Sequence, residues 1–338
     1  MGVFRRMTLR APFPYFGGKR DVVELTWSRF GSVKQYIEPF CGSLAMLLGA
    51  KETASLEVAN DINGFIANFW RATKLQPAEV ARWADYPVSH IDLGARHVWL
   101  LDQRVRIGAE LQDPNWIGDA QVAGWWLWGQ CCWIGSGWCD WARPDSARER
   151  RRYGDSGDAP VAGATGLGQI PHAGNAGMGI QAIGQIPHAG NAGRGGLMTS
   201  GGVTAWEWLH KLAARLERVR LTHGSWERCL NSHFGGSSTA IYLDPPYRAY
   251  ESLYNCEGVA DAVELWAREH ADLRVALCGH IGDYPSLDGW QVVPWTRKRL
   301  TYSGAGTTDK EAIWFSPACI VPREKKQVEM FGGAKPCP

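Results

Sequence analysis

The sequence predicts an open, doubly wound α/β sheet, and three stretches predict it. Gln35-Tyr36-Ile37-Glu38 reads as a strand, followed by the turn Pro39-Phe40-Cys41-Gly42-Ser43 and an apolar helix over residues 44–48. A second strand over residues 55–59 ends at Asn60-Asp61, about twenty residues beyond that turn. Thr239-Ala240-Ile241-Tyr242-Leu243 is a third, buried strand that stops at Asp244-Pro245-Pro246-Tyr247. Strand, glycine turn and helix form the opening unit of such sheets, in which helix N-terminal amides face a ligand beyond the strand ends.

Composition narrows the class. The 338 residues allow one large domain or two ordinary ones, and 45% hydrophobic with 21% charged residues suits a globular chain with ample core. A formal net charge of +2 gives no global field for polyanions, so any basic surface must be local. The sequence shows no signal peptide and no apolar run of membrane-spanning length, and it reads as cytoplasmic. The nine cysteines form no Cys-x-x-Cys pair. Cys131, Cys132 and Cys139 match no common zinc spacing, so no metal site is expected and the thiols read as buried and free.

In chain order, Pro12-Phe13-Pro14-Tyr15-Phe16-Gly17-Gly18-Lys19 comes first. Its glycine pair lets backbone approach a ligand closely, and Lys19 adds a point charge. Asp61 sits where these sheets place the acid that holds ribose hydroxyls. Capping of a helix over residues 62–72 by Asn60-Asp61 is the structural alternative. At the third strand, neither proline can join a ladder, and Pro245 holds Asp244 extended. The corner therefore displays a carboxylate, a free carbonyl and an aromatic ring. Those groups suit an exocyclic amine on a flat heterocycle: Asp244 and the Pro245 carbonyl accept its N–H hydrogens while Tyr247 stacks on the ring. A base presented in this way must first leave its duplex. The structural alternative is a tight turn with Tyr247 as packing.

Taken in order, Pro14-Tyr15-Phe16-Gly17-Gly18-Lys19, Glu38-Pro39-Phe40-Cys41-Gly42-Ser43, Asn60-Asp61 and Asp244-Pro245-Pro246-Tyr247 resemble the Dam-like (D12 class, α-group) DNA adenine-N6 methyltransferases, particularly the phage and prophage branch. The matching pieces cover roughly residues 12–75 and 215–316. The resemblance implies a Rossmann-like S-adenosylmethionine-dependent methyltransferase sheet carrying an inserted, mostly helical and loop-rich target-recognition domain. It implies transfer of a methyl group to adenine N6 in double-stranded DNA within a bacterial host cell. Tyr15, Gly17, Gly18 and Lys19 would meet S-adenosylmethionine from the amino-terminal side. Glu38, Pro39, Phe40 and Gly42 would wrap its methionine portion, Asp61 would hold the ribose hydroxyls, and Ile62 would lie against the adenine. Asp244 would serve both the target amine and the cofactor's reactive end, with Pro245, Pro246 and Tyr247 completing the catalytic corner.

Two positions depart from the family pattern. Leu44 replaces a glycine and could crowd the cofactor. Ser225, in the turn His223-Gly224-Ser225-Trp226 after a strand over residues 218–222, stands where an acid often binds the cofactor's adenine amine. Cytosine N4 transfer uses nearly the same corner, usually with serine for Asp244, and is the close alternative. A DNA-binding protein that has lost catalysis is the competitor from another class. The sequence assigns no restriction partner and no oligomeric state.

The expected organisation is a catalytic part over 1–75, a target-recognition insertion over 76–213, the rest of the catalytic domain over 214–323 and a disordered tail over 324–338. The run from Trp125 to Trp138 reads as core packing beside the site or as a base-stacking element. Arg143, Arg148, Arg150, Arg151 and Arg152 read as a phosphate-facing patch or a solvated helix face. Residues 154–202 form a glycine-rich loop in which Gly168-Gln169-Ile170-Pro171-His172-Ala173-Gly174-Asn175-Ala176-Gly177 recurs sixteen residues later, for base readout or as a plain insert. A helix through residues 264–270, a strand over 274–278 and a late antiparallel hairpin over 291–295 and 311–315 complete the sheet. The basic hairpin tip, Arg297-Lys298-Arg299, could touch the DNA backbone.

Overall fold

The computed structural model describes residues 9–13, 19–86, 89–132, 138–139, 204–230, 234–248, 251, 256–296 and 310–321. The Pro14 to Gly18 loop with Tyr15, Gly17 and Gly18, residues 133–137, the arginine-rich stretch, the repeat loop, the hairpin tip and the tail lie outside the described residues.

The strands are β1 (Gln35–Glu38), β2 (Leu56–Asp61), β3 (Val219–His223), β4 (Thr239–Leu243), β5 (Arg274–His280), β6 (Gln291–Thr296) and β7 (Lys310–Phe315). They form one sheet in the order β3-β2-β1-β4-β5-β7-β6. The first five are parallel, with Ile37 opposite Val58 on one side and Ile241 on the other. β7 runs antiparallel between β5 and β6 and puts Ile313 opposite Cys278 and Val293. From β1 the chain steps out to β2 and β3, then returns to the other side of β1 for β4 and β5. The order reverses between β1 and β4, and that reversal opens a crevice at the carboxyl ends of the strands. This is the Rossmann-like methyltransferase sheet that the sequence predicts, including its late hairpin.

Every residue of β4 is buried, as expected of a parallel strand covered on both faces. The covering helices are α1 (Val23–Phe30), α2 (Ala45–Gly49), α3 (Gly64–Leu75), α4 (Pro77–Ala84), α5 (His90–Glu110), α6 (Ala120–Cys132), α7 (Ala205–Leu216) and α8 (Val259–Glu269). α3 begins two residues later than expected because Asn63, not Asn60-Asp61, caps it: the Asn63 side-chain oxygen accepts from the Phe65 and Ile66 amides. Thr204 and Glu207 close a reciprocal capping box at the start of α7.

Leu44 takes a left-handed backbone of the kind that glycine favours. Its φ is +53° and ψ +30°, and its side chain is fully buried in the core. A left-handed conformation costs a non-glycine residue roughly 1–2 kcal/mol, which the burial of a leucine, about 1.5–3 kcal/mol, offsets. The Leu44 side chain packs into the core.

The segment after α3 is not a separate body of packing. Trp126 and Trp128 are almost wholly buried and Trp138 nearly so. Phe13 lies edge-on to Phe69 of α3 and Trp126 of α6, at centroid distances of 5.2 and 5.0 Å. The Cys131 thiol donates to the Pro12 carbonyl (3.3 Å). Trp126, Trp128 and Trp138 are therefore core residues with Trp125 packed against them, and one apolar cluster extends from the sheet helices into α4, α6 and α7. No helix among the described residues is long and apolar enough to cross a membrane.

Candidate active site

Adjacent residues at the end of β2 hold the turns around the crevice. The buried Asn60 amide donates to the Pro39 carbonyl (3.1 Å) and the Gly224 carbonyl (2.9 Å), and its oxygen accepts from the Thr222 hydroxyl (3.0 Å). It thus ties the turn after β1 to the turn after β3. Asp61 Oδ2 accepts from the Gly42 amide (2.8 Å) and Oδ1 from the Asn63 amide (2.9 Å). Burial raises the Asp61 carboxyl to about 6, while the Asn63 and Gly42 amides pull it back. Oδ2 also accepts from the Cys41 thiol (3.9 Å).

Beside Asp61, the Ile62 side chain is 64% exposed. The Ile62 carbonyl lies 3.2 Å from His223 Nε2. Phe40 stacks on the buried Trp226 at 6.1 Å and 23°, joining the turns after β1 and β3. The Ser225 hydroxyl donates to the Glu227 carboxylate. A carboxylate thus does stand at this turn, two residues past the position where sequence reasoning found only a serine.

Glu38 is enclosed beneath the first turn. Its Oε2 accepts from the Tyr36 hydroxyl (3.0 Å) and from the Leu47 amide of α2 (3.2 Å). Burial pushes its carboxyl up to about 8, against the opposing pull of those two donors. The folded protein therefore holds this proton more tightly than the unfolded chain does. That contribution is complete below the ordinary carboxylate range and is lost as pH rises through about 8. From pH 7 to pH 9 the loss is on the order of 1 kcal/mol. Glu38→Gln keeps the shape of the neutral acid and carries no proton to lose. Thermal melting is expected to show wild type falling by a few degrees relative to this variant across that interval; parallel curves would count against a protonated Glu38.

The second half of the site is the corner after β4. Asp244 is partly open, with its side chain 21% exposed. Lys19, only 4% exposed, places Nζ 2.8 Å from Asp244 Oδ1 and 3.6 Å from Glu311 Oε2. Burial opposes the Lys19 charge, but Asp244, Cys278 and Glu311 outweigh it and raise the pKa. The same Glu311 oxygen accepts the Tyr247 hydroxyl (2.8 Å), Lys19 Nζ lies over the Tyr247 ring at 5.0 Å, and His280 meets that ring edge-on at 4.7 Å. Burial, followed by the nearby Asp244, raises the Tyr247 phenol far above its usual value, so it stays protonated.

Sheet register builds this arrangement. His280 on β5 is directly opposite Glu311 on β7, and both side chains reach Tyr247. Arg248 braces the corner from behind: Nε donates to the Asp283 carbonyl (2.8 Å), and the guanidinium pairs with Glu264 (2.6 Å) and Asp261. Sequence reasoning missed Glu311, His280 and Arg248. The one available signal was a lone acid opening the apolar strand Ala312-Ile313-Trp314-Phe315. Lys19, expected beside the cofactor, reaches the proline corner through Asp244. Among the described residues no cluster of three or more His, Cys, Asp or Glu could hold a metal ion.

A doubly wound sheet with an antiparallel edge hairpin, and an acid-proline-proline-tyrosine corner at its point of reversal, defines a Rossmann-like methyltransferase. Residues 15–86, which carry β1, β2 and both clamping side chains, match the family model of D12 class N6 adenine-specific DNA methyltransferase. That match supports methylation of adenine N6 in DNA as the reaction. Comparison with curated proteins gave no match. Enzymes of this class are generally S-adenosylmethionine-dependent.

Proposed function

We propose that this chain binds S-adenosylmethionine over the ends of β1 and β2 and methylates an adenine flipped out of duplex DNA into the corner after β4. The observation that carries the reading is the juxtaposition, across one crevice, of a partly open Asp244 with the Asp61–Ile62 shelf. The crevice fits the cofactor's chemistry: an exposed apolar side chain for a flat base and a nearby carboxylate for ribose hydroxyls. When bound, the cofactor supplies a methyl group on a sulfonium.

In this reading Asp61 holds the ribose hydroxyls and Ile62 lies against the adenine. Glu227 stands near enough in sequence to take the place of the missing acid at Ser225. Pro39, Phe40 and Gly42 wrap the methionine portion, with Glu38 bracing the turn from below, and Tyr15, Gly17, Gly18 and Lys19 close over it. Asp244 and the Pro245 carbonyl accept the two N–H hydrogens of the target amine, Pro246 keeps the corner rigid, and Tyr247 stacks on the purine. Hydrogen bonds to nitrogen strengthen as positive charge develops there, and alignment supplies the rest of the rate. No covalent enzyme intermediate is needed. Residues 76–213 serve as the target-recognition insertion, and the enzyme works in the cytoplasm of a bacterial host.

The test is transfer of labelled methyl from S-adenosylmethionine to unmethylated duplex DNA, with the product nucleosides separated. N6-methyladenine is expected. N4-methylcytosine would move the target base, and tight DNA binding with no transfer and no cofactor affinity would sink the catalytic reading in favour of a DNA-binding protein that has lost its chemistry.

A further inference from the structure

Among the described residues the corner contains two carboxylates and one ammonium, and the ammonium stands in the way of the chemistry. Asp244 Oδ1, needed as an acceptor for the adenine amine, is held by Lys19 at 2.8 Å. The same Lys19 lies over the ring on which the purine would stack. A buried ammonium stripped of its carboxylate is strongly disfavoured, so Lys19 cannot simply be expelled. Glu311 provides the alternative. It is 3% exposed, and its Oε2 lies 3.6 Å from Lys19 Nζ, less than about 1 Å beyond a charge-assisted hydrogen bond. That oxygen also accepts from the Tyr247 hydroxyl, so motion of Lys19 toward it runs toward the hydroxyl end of the ring.

We infer that Glu311 is a positioning residue that takes Lys19 over from Asp244 when the target adenine enters, freeing both the Asp244 oxygen and the Tyr247 face. The inference rests on the roles proposed above for Asp244 and Tyr247. No bond is made or broken in the exchange. One ion pair, Lys19–Asp244, is replaced by another, Lys19–Glu311, and the adenine N–H replaces the ammonium at Asp244. The negative charge of Asp244 is then no longer neutralised by a lysine as positive charge develops on the adenine nitrogen. Glu311 meanwhile keeps the Tyr247 ring in place through the phenol.

The experiment compares single-turnover methyl transfer by wild type, Glu311→Gln and Tyr247→Phe, with S-adenosylmethionine and DNA affinities measured separately. Glutamine preserves volume and an acceptor for the phenol but cannot neutralise the ammonium, which leaves Lys19 locked on Asp244. Glu311→Gln is expected to slow transfer by about 10- to 100-fold, with both affinities within about threefold of wild type. Tyr247→Phe, which removes only the phenol bond, is expected to slow it less. A wild-type rate for Glu311→Gln, or a loss equal to that of Tyr247→Phe and not increased in the double variant, would overturn the exchange and leave Glu311 as an anchor for the ring at most. An inactive wild type would instead defeat the underlying catalytic reading. Should Glu311→Gln not fold, a crystal structure of the wild-type ternary complex decides: Lys19 Nζ within hydrogen-bond distance of Glu311 supports the exchange, and Lys19 still on Asp244 beside a flipped adenine rules it out.

Discussion

Alanine at position 244 is expected to lower the single-turnover rate of methyl transfer by about a thousandfold, the scale seen when one preorganised hydrogen-bonding group is removed from a reaction centre. The loss should fall on the chemical step. Asp244 is partly open, and its charge partner Lys19 retains Glu311, so the variant keeps a paired ammonium and should fold. DNA affinity should change little, because phosphate contacts rather than one corner carboxylate supply most of it. Asparagine at the same place separates charge from shape. Its amide oxygen can still accept one N–H, but it brings no negative charge toward the nitrogen and presents an NH2 group that can face Lys19. A loss of about a hundredfold is expected for Asp244→Asn. The measurement is a rapid-quench time course with saturating cofactor and duplex. If Asp244→Ala transferred methyl within tenfold of wild type, Asp244 would not be the acceptor for the target amine.

What the sequence made legible follows from how local each signal is. β4 was legible to the residue because an apolar run meets two prolines that cannot extend a parallel ladder. β1 and its turn were equally clear. Asn63 as the cap of α3 was not, since three of the four residues Asn60-Asp61-Ile62-Asn63 offer plausible beginnings and only the closure of Asp61 onto Gly42 selects among them. Leu44 shows burial overriding a conformational rule. A leucine in the left-handed region is disfavoured locally, yet its side chain repays that energy in the core.

The missing half of the catalytic corner is a matter of distance along the chain. Tyr247 and Glu311 are 64 positions apart, and nothing near either residue announces the other. Their meeting depends on β7 running antiparallel beside β5, which puts Glu311 opposite His280, and on β5 continuing through His280, beyond the expected end at residue 278. Lys19 is further still from Asp244 in sequence, and its lysine-in-a-glycine-loop setting suggests a ligand contact rather than a buried pair. Sheet register, not residue type, joins these groups.

Gly124→Ala should reveal how tightly the helices after α3 are built into the enzyme. Gly124 lies on α6 where that helix crosses α4. A Cβ added there would stand 2.4 Å from Trp83 Cβ and 2.8 Å from both the Trp83 carbonyl carbon and the Val80 oxygen. Two of those three neighbours are backbone, so relief requires the helices to separate rather than a side chain to swing. Overpacking of this kind costs about 1–3 kcal/mol, and the gain in helix propensity of about 1 kcal/mol offsets only part of it. At Gly129 the obstacle is different: a Cβ would meet the Trp138 ring at 1.8 Å, and moving that ring would break its indole hydrogen bond to the Trp126 carbonyl (3.1 Å). Both variants should melt several degrees below wild type. Gly124→Ala should also lose activity at temperatures below its melting point, because α6 is the surface on which Phe13 and the Pro12 carbonyl rest, only a few residues before Lys19. Calorimetry beside transfer assays across temperature measures both effects. An unchanged melting temperature for Gly124→Ala would mean that α4 and α6 do not cross at contact distance in solution. A lowered one with undiminished activity would mean that the order of Lys19 and its neighbours does not depend on α6.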